Sequence, residues 1–111
     1  MKDRTRDRLR KAVEGHRETL AEAKSIMTDL ILTELSVGLQ FAELARDSFL
    51  TKSNSAARRQ QHGAVRAYQA VEKFLARSAP TSKQRAIIEK QMAELKTAIS
   101  DLDNLSKGAA D

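Results

Sequence analysis

Hydrophobic and polar residues follow a helical spacing throughout the stretch from Ile26 to Leu50. Its polar residues recur at steps of four and three and share one solvated stripe, formed by Asp29, Thr33, Ser36, Gln40, Glu43 and Asp47. Two apolar rows face away from the stripe, one of Ile31, Leu35, Gly38, Ala42, Ala45 and Phe49, and a second of Leu30, Val37, Phe41 and Leu44. We therefore expect a central helix with neighbouring helices on two sides.

Upstream, from Asp3 to about Ser25, the apolar residues are sparse and form a narrow seam. They recur at heptad-like steps of four and three: Leu9, Val13, His16, Leu20, Ala23 and then Met27. The polar stripe continues in phase through this segment, which predicts one helix from near Asp3 to near Thr51, on the order of 70 Å long. Gly15 is its weakest point, whereas Gly38 is interpreted as a site of close packing.

A second helix is predicted after a turn over residues 51–55. Ser53, Asn54 or Ser55 can cap this helix, which runs from about Ala56 to Arg77. Its inward row consists of Ala57, Ala64, Tyr68, Val71 and Leu75, joined by Ala67 and Phe74.

A third helix follows Pro80, which ends the second because the residue before a proline avoids the α region. Thr81 and Gln84 have the spacing of a capping box and predict the start of the third helix. Gly108 is its predicted stop. The inward row comprises Ile88, Met92, Leu95, Ile99 and Leu102, flanked by Ile87, Ala98 and Leu105.

The expected fold class is all-α, an antiparallel three-helix up-down-up bundle with a long first helix. We expect one helical domain over residues 1–111, with an N-terminal helical extension over 1–25, the bundle core over 26–106 and a frayed tail over 107–111. The alternative is a four-helix bundle, in which the first helix breaks between Gly15 and Ser25 and folds back.

The extended form predicts self-association. Two helices half as long as the first cannot bury the seam of Leu9, Val13, His16 and Leu20. Pairing with a second chain, parallel or antiparallel, covers it most simply. We therefore expect a homodimer.

Composition and the absence of motifs exclude several classes of protein. The chain has no cysteine, hence no disulfide or thiolate metal site, and no transmembrane segment or export signal is visible, which favours the cytoplasm. It has no Gly-rich phosphate loop, no His-Glu-x-x-His and no Glu-x-x-His, so we expect no enzyme, no cofactor and no bound metal. His62 does not match phosphotransfer domains, which place Leu-Lys-Gly after the histidine where this chain has Gly63, Ala64 and Val65.

The second helix carries a face of one charge sign. Its members are Arg59, His62, Arg66, Lys73 and Arg77, together with Gln69, at steps of three and four. From Lys52 to Lys90 the net charge is +7, against −2 for the rest of the chain. Because like charges on a helix repel, this face is a candidate site for an acidic protein segment or, alternatively, nucleic acid. The aromatic residues fall on inward rows, which leaves none to stack on bases and disfavours a single-strand binder.

Residues 40–102 resemble a known family. The segment Ala64-Val65-Arg66-Ala67-Tyr68-Gln69, preceded by FAELARDSFL, is similar to the three-helix MIT domain and, more distantly, to tetratricopeptide-type hairpins. The first interhelical loop departs from the MIT pattern. MIT domains usually have an acidic residue together with Gly or Asn in this loop, whereas this chain has Lys52-Ser53-Asn54-Ser55. The resemblance implies a non-enzymatic module that binds a partner helix or extended segment between helices. The sequence thus predicts a self-associating helical interaction module with an anionic or helical partner, or alternatively a nucleic-acid-associated protein.

Overall fold

The described part of the chain forms three helices, and the first is by far the longest. A computed structural model describes the backbone of residues 2–109 and the side chains of residues 5–108. Helix α1 spans Lys2–Leu50, α2 spans Asn54–Leu75 and α3 spans Ser82–Ala109, and these described residues include no strand. The expected all-α three-helix bundle with a long first helix is confirmed. Gly15 does not interrupt α1, which continues through 49 residues.

Contacts between helices establish the up-down-up topology. The Ser48 hydroxyl of α1 donates to Gln60 Oε1 of α2 over 2.7 Å, and Gly38 lies beside Ala67, so higher numbers on α1 meet lower numbers on α2. Gln61 Nε2 of α2 donates to Asp103 Oδ1 of α3 over 2.6 Å. Helix α2 is therefore antiparallel to α1, and α3 returns alongside both.

The core lies where the inward rows of the three helices meet. From α1 it takes the predicted row, and α2 and α3 contribute the rows centred on Ala64 and Leu95. All six residues of the polar stripe are exposed, as predicted. Thr28 is also buried, at 2 % exposure, and satisfies its hydroxyl by donating to the Lys24 carbonyl over 3.1 Å. The sequence did not predict this burial, because Thr28 is polar and lies one position before Asp29, the first residue of the polar stripe.

Gly38 allows the three helices to approach closely. A Cβ atom at this position would lie 2.8 Å from Leu95 Cδ2 and 3.0 Å from the Ala67 Cβ. Those distances are too short for an additional methyl group. The interpretation of Gly38 as a close-packing site is confirmed.

The turn between α1 and α2 is closed by backbone hydrogen bonds. Ser53 N donates to the Ser48 carbonyl over 2.8 Å and Lys52 N to the Phe49 carbonyl over 3.1 Å, which is the Schellman pattern of a helix end. Ser53 occupies the N-cap position of α2, but its hydroxyl makes no capping hydrogen bond. Ser53 is therefore at the predicted N-cap position, but the predicted hydrogen bond from its side chain is absent. Helix α2 starts two residues earlier than predicted.

The turn between α2 and α3 follows the prediction closely. Thr81 N donates to Gln84 Oε1 over 2.8 Å, and Gln84 N donates to Thr81 Oγ1 over 3.1 Å. These reciprocal bonds are the predicted capping box. At the other end, α3 continues through Gly108 to Ala109, so Gly108 does not stop it. The predicted frayed tail therefore overlaps the helix, and its residues 110 and 111 lie outside the described part.

The second apolar row of α1 is not buried, contrary to the prediction. Leu30, Phe41 and Leu44 are 42 %, 36 % and 50 % exposed, and Ile87 of α3, predicted as a flanking core residue, is 42 % exposed. The reason is geometric: α2 and α3 both pack around the row that contains Leu35. One side of α1 next to α2 therefore remains open.

The N-terminal part of α1 extends beyond the bundle. Every described side chain from residue 5 to residue 26 is exposed, and we call this segment the arm. The radius of gyration is 20.8 Å, whereas a compact domain of this length has one of about 13 Å. The extents of 80 × 24 × 15 Å also show that the molecule is elongated. The extended form, and not the folded-back four-helix alternative, is the structure.

Candidate interaction surfaces

The arm carries an apolar seam that no other described residue covers. Leu9, Val13 and Leu20 are 62 %, 49 % and 47 % exposed, and His16 between them is exposed as well. The structure thus places all four predicted self-association residues on one helix, at heptad spacing, without a neighbouring helix. Most of the stability of a helix in a protein comes from tertiary packing of its apolar face, and the arm seam has no such packing within the described residues. The arm gains stability from any partner that covers the seam.

The seam continues beyond the arm onto the bundle. The same steps of four and three lead from Met27 through the exposed row to Leu44, and we call the whole series the α1 stripe: Leu9, Val13, His16, Leu20, Ala23, Met27, Leu30, Glu34, Val37, Phe41 and Leu44. It runs for roughly 50 Å at ~1.5 Å per residue. The sequence interpretation missed this continuity, because it assigned the second half to the core. The unbroken spacing was the available signal.

A shallow groove accompanies the second half of the α1 stripe, on the side facing α2. The Phe41 ring lies over Gly63, where a Cβ atom would be 3.0 Å from the ring carbon Cγ. A pocket of about 140 Å³ beside the ring is lined by Phe41, Ala56, Arg59 and Gln60. We call this pocket, together with the exposed side chains Leu30, Phe41 and Leu44, the α1–α2 groove. Arg59 contributes a positive charge to its lining.

The predicted basic face of α2 is fully presented to solvent. The five predicted partner-binding residues are all exposed on one side of α2: Arg59, His62, Arg66, Lys73 and Arg77, the last just beyond the helix end. The structure adds Arg58, which is also exposed and which the sequence interpretation left out. Glu72 is the one acidic residue in the α2 sequence. The face therefore has a strong positive charge, and Arg59 joins it to the α1–α2 groove.

A larger cavity opens between the C-terminal halves of α1 and α3. It has a volume of about 520 Å³, and its apolar lining comprises Leu39, Ala42, Leu50, Ala98, Leu102 and Leu105. Glu43, Arg46 and Asp101 provide charges of both signs at its edge. Leu50 is 63 % exposed here. The sequence did not predict this cavity, because its lining residues come from two helices whose relative packing is not a local property.

No group of three His, Cys, Asp or Glu side chains within the described part of the chain is arranged to bind a metal ion. His16 lies on the arm and His62 on α2, so the two histidines belong to separate surfaces. Asn54 Oδ1 is buried without a hydrogen-bond partner. As for membranes, none of the three helices over the described residues is sufficiently long and apolar to span a bilayer.

Comparisons of the chain with protein-family models, with curated proteins and with solved structures found no match.

Proposed function

We propose that this protein is a non-enzymatic helical interaction module that self-associates through the arm. The observation that supports this most directly is the exposure of Leu9, Val13 and Leu20 on the arm, the segment of α1 in which every described side chain is exposed. Burying a side chain of this size is worth roughly 1.5–3 kcal/mol. Several such side chains on one face supply enough free energy to hold two helices together.

The test is the mass of the full chain in solution. Sedimentation equilibrium at tens of micromolar should give a dimer for the natural chain and a monomer for a Val13→Glu/Leu20→Glu variant, because charged side chains cannot be buried in the seam. Lys11→Glu is the matched control, since Lys11 lies away from the seam. It should remain dimeric. A monomeric natural chain across the same range would contradict the proposal.

We propose the basic face of α2 as a second binding surface, for an acidic protein segment. Its support is the exposure of Arg58, Arg59, Arg66, Lys73 and Arg77 around a helix with one acid. The resemblance of residues 40–102 to MIT-type modules, which implies binding of a partner segment between helices, stays a prediction. Nucleic acid is the alternative partner, since phosphates are attracted by the same charges.

Fluorescence anisotropy with two labelled probes tests this surface. An acidic peptide should bind at low salt and dissociate as salt rises, and Arg59→Glu/Arg66→Glu should weaken binding at least tenfold. Lys96→Glu, an exposed cation on α3, is the control and should change affinity little. Preferential binding of a DNA duplex, with a salt slope that shrinks by about one for each contacting cation removed, would support the nucleic-acid alternative. Binding of neither probe would leave the face without a partner role.

A further inference from the structure

We infer that the arm of one copy docks in the α1–α2 groove of a second copy, and that the second arm does the same in return. The product is an antiparallel dimer in which each arm acts as a fourth helix on the bundle of its partner. This inference rests on the proposed self-association and specifies its geometry. The contact it describes is between an arm and a bundle, which is different from a contact between two arms.

The length of the α1 stripe supports this contact. The arm holds the first half of the stripe, and the bundle holds the second half, where Leu30, Phe41 and Leu44 remain 36–50 % exposed. Two arms that paired only with each other would cover the first half and leave these three side chains in water. Overlap of each arm with the bundle of its partner covers both halves at once. The hydrophobic effect therefore favours the longer overlap.

The polar residues within the α1 stripe determine whether the two first helices pair parallel or antiparallel. His16 interrupts the first half and Glu34 the second. A parallel, in-register pair would place Glu34 against Glu34 in an apolar contact, which is unfavourable for two like charges. An antiparallel pair can instead place His16 opposite Glu34, where the imidazole can donate to the carboxylate. His16 and Glu34 can therefore pair with each other only when the two first helices are antiparallel.

The same register matches the apolar residues. With His16 opposite Glu34, antiparallel heptad geometry sets Leu9 opposite Phe41 and Leu20 opposite Leu30. Val13 then meets Val37. At the twofold axis Ile26, which is 59 % exposed, lies beside its own copy. Every large apolar side chain of the arm seam therefore has an apolar partner.

The groove provides space for the arm. Half-buried small residues recur every seven positions along this side of α2, at Ala56, Gly63 and Ala70. At Gly63 the space is filled by the Phe41 ring of the same chain, and the 140 Å³ pocket beside this ring can receive the Leu9 side chain of the partner. The fit is thus apolar inside.

Cysteine cross-linking of the full chain tests the register, because the natural sequence has no cysteine. Val13→Cys and Val37→Cys variants are mixed in equal amounts and treated with a short bifunctional thiol reagent. The mixture should give a cross-linked dimer, and neither variant alone should. Cross-linking of Val13→Cys with itself would indicate parallel arms and overturn the inference, as would absence of product in the mixture.

A groove variant separates failure of this inference from failure of self-association. Leu30 and Leu44 are exposed, so Leu30→Glu/Leu44→Glu should preserve the helical circular dichroism of the bundle. Sedimentation equilibrium should then give a monomer, as for the arm variant. A dimer that survives this change would contradict docking in the groove while leaving self-association intact. A monomeric natural chain would contradict both.

Discussion

Lys52 has a backbone conformation that is unfavourable for a side chain. Its φ is +61°, in the left-handed region, and it occupies the position of a helix end that glycine most often fills. The two hydrogen bonds of the turn keep it there. The chain thus accepts backbone strain of order 1–2 kcal/mol in order to reverse direction within a short turn.

Lys52→Gly should therefore stabilise the protein by up to about 1 kcal/mol, since glycine adopts this conformation without steric cost. Urea unfolding followed by circular dichroism measures the change. Thr51→Gly is the control, because Thr51 has an ordinary backbone and should lose stability when its conformational freedom rises. Equal effects of the two substitutions would show that the conformation of Lys52 carries no strain.

Gly15 and Gly38 lie on the same helix in opposite environments. A Cβ atom at Gly15 would have no atom within 4 Å, whereas one at Gly38 would collide with Leu95 and Ala67. The same substitution, glycine to alanine, should therefore have opposite effects on stability at the two positions.

Gly38→Ala should lower the free energy of unfolding by about 1–3 kcal/mol, the usual cost of overpacking. Gly15→Ala should instead increase the helical content of the arm, because alanine favours helix by ~1 kcal/mol over glycine. Thermal unfolding monitored by circular dichroism measures both. A lower melting temperature of the bundle in Gly15→Ala would disagree with an arm that has no tertiary contacts.

At the scale of elements, the sides of α1 serve different roles. The row that contains Leu35 lies in the core, the row that contains Phe41 is half exposed, and the stripe that contains Gln40 is solvated. Substitutions should therefore lower the free energy of unfolding most in the Leu35 row, less in the Phe41 row and least in the Gln40 stripe. A monomeric background, such as Val13→Glu/Leu20→Glu, keeps any dimer contact from adding to the effect.

In that background Leu35→Ala should cost about 2–5 kcal/mol, because it leaves a cavity in a fully buried site. Phe41→Ala should cost less, about 1–2 kcal/mol, since part of its ring already contacts water. Gln40→Ala should stay under ~0.5 kcal/mol. Urea unfolding measures all three, and a loss for Phe41→Ala equal to that for Leu35→Ala would place the ring in the core.

Local signals in the sequence predicted the elements well, and the reason is physical. The capping box at Thr81 depends on residues three positions apart, and the solvated stripe depends on the helical period alone. Neither needs knowledge of a neighbour. The exposure of Leu30 and Phe41 does need it, because periodicity tells which residues share a face and not how many helices cover that face. The cavity near Leu50 and the α1–α2 groove were missed for the same reason.

At the scale of the whole molecule, the arm and the bundle should unfold separately. The arm is held only by its own backbone hydrogen bonds, whereas the bundle is held by a shared core. Their stabilities therefore differ.

Hydrogen exchange with mass spectrometry should detect this difference. Amides of residues 5–26 should exchange orders of magnitude faster than those around Leu35 and Leu95 in the monomeric variant, because helix fraying costs far less than global unfolding. In the natural chain at high concentration, the arm should become protected as partners cover it. Strong protection of the arm in the monomeric variant would contradict its independence.

The 80 Å length of the molecule also governs how it diffuses. Friction on a rod exceeds friction on a sphere of equal mass, so one chain of 12.3 kDa should leave a gel filtration column ahead of globular standards of that mass. Two chains paired in the inferred register overlap along almost the whole of their first helices, so the dimer is thicker than one chain and hardly longer. Monomer and dimer should therefore elute at volumes that both suggest larger globular particles, and their Stokes radii differ less than their masses.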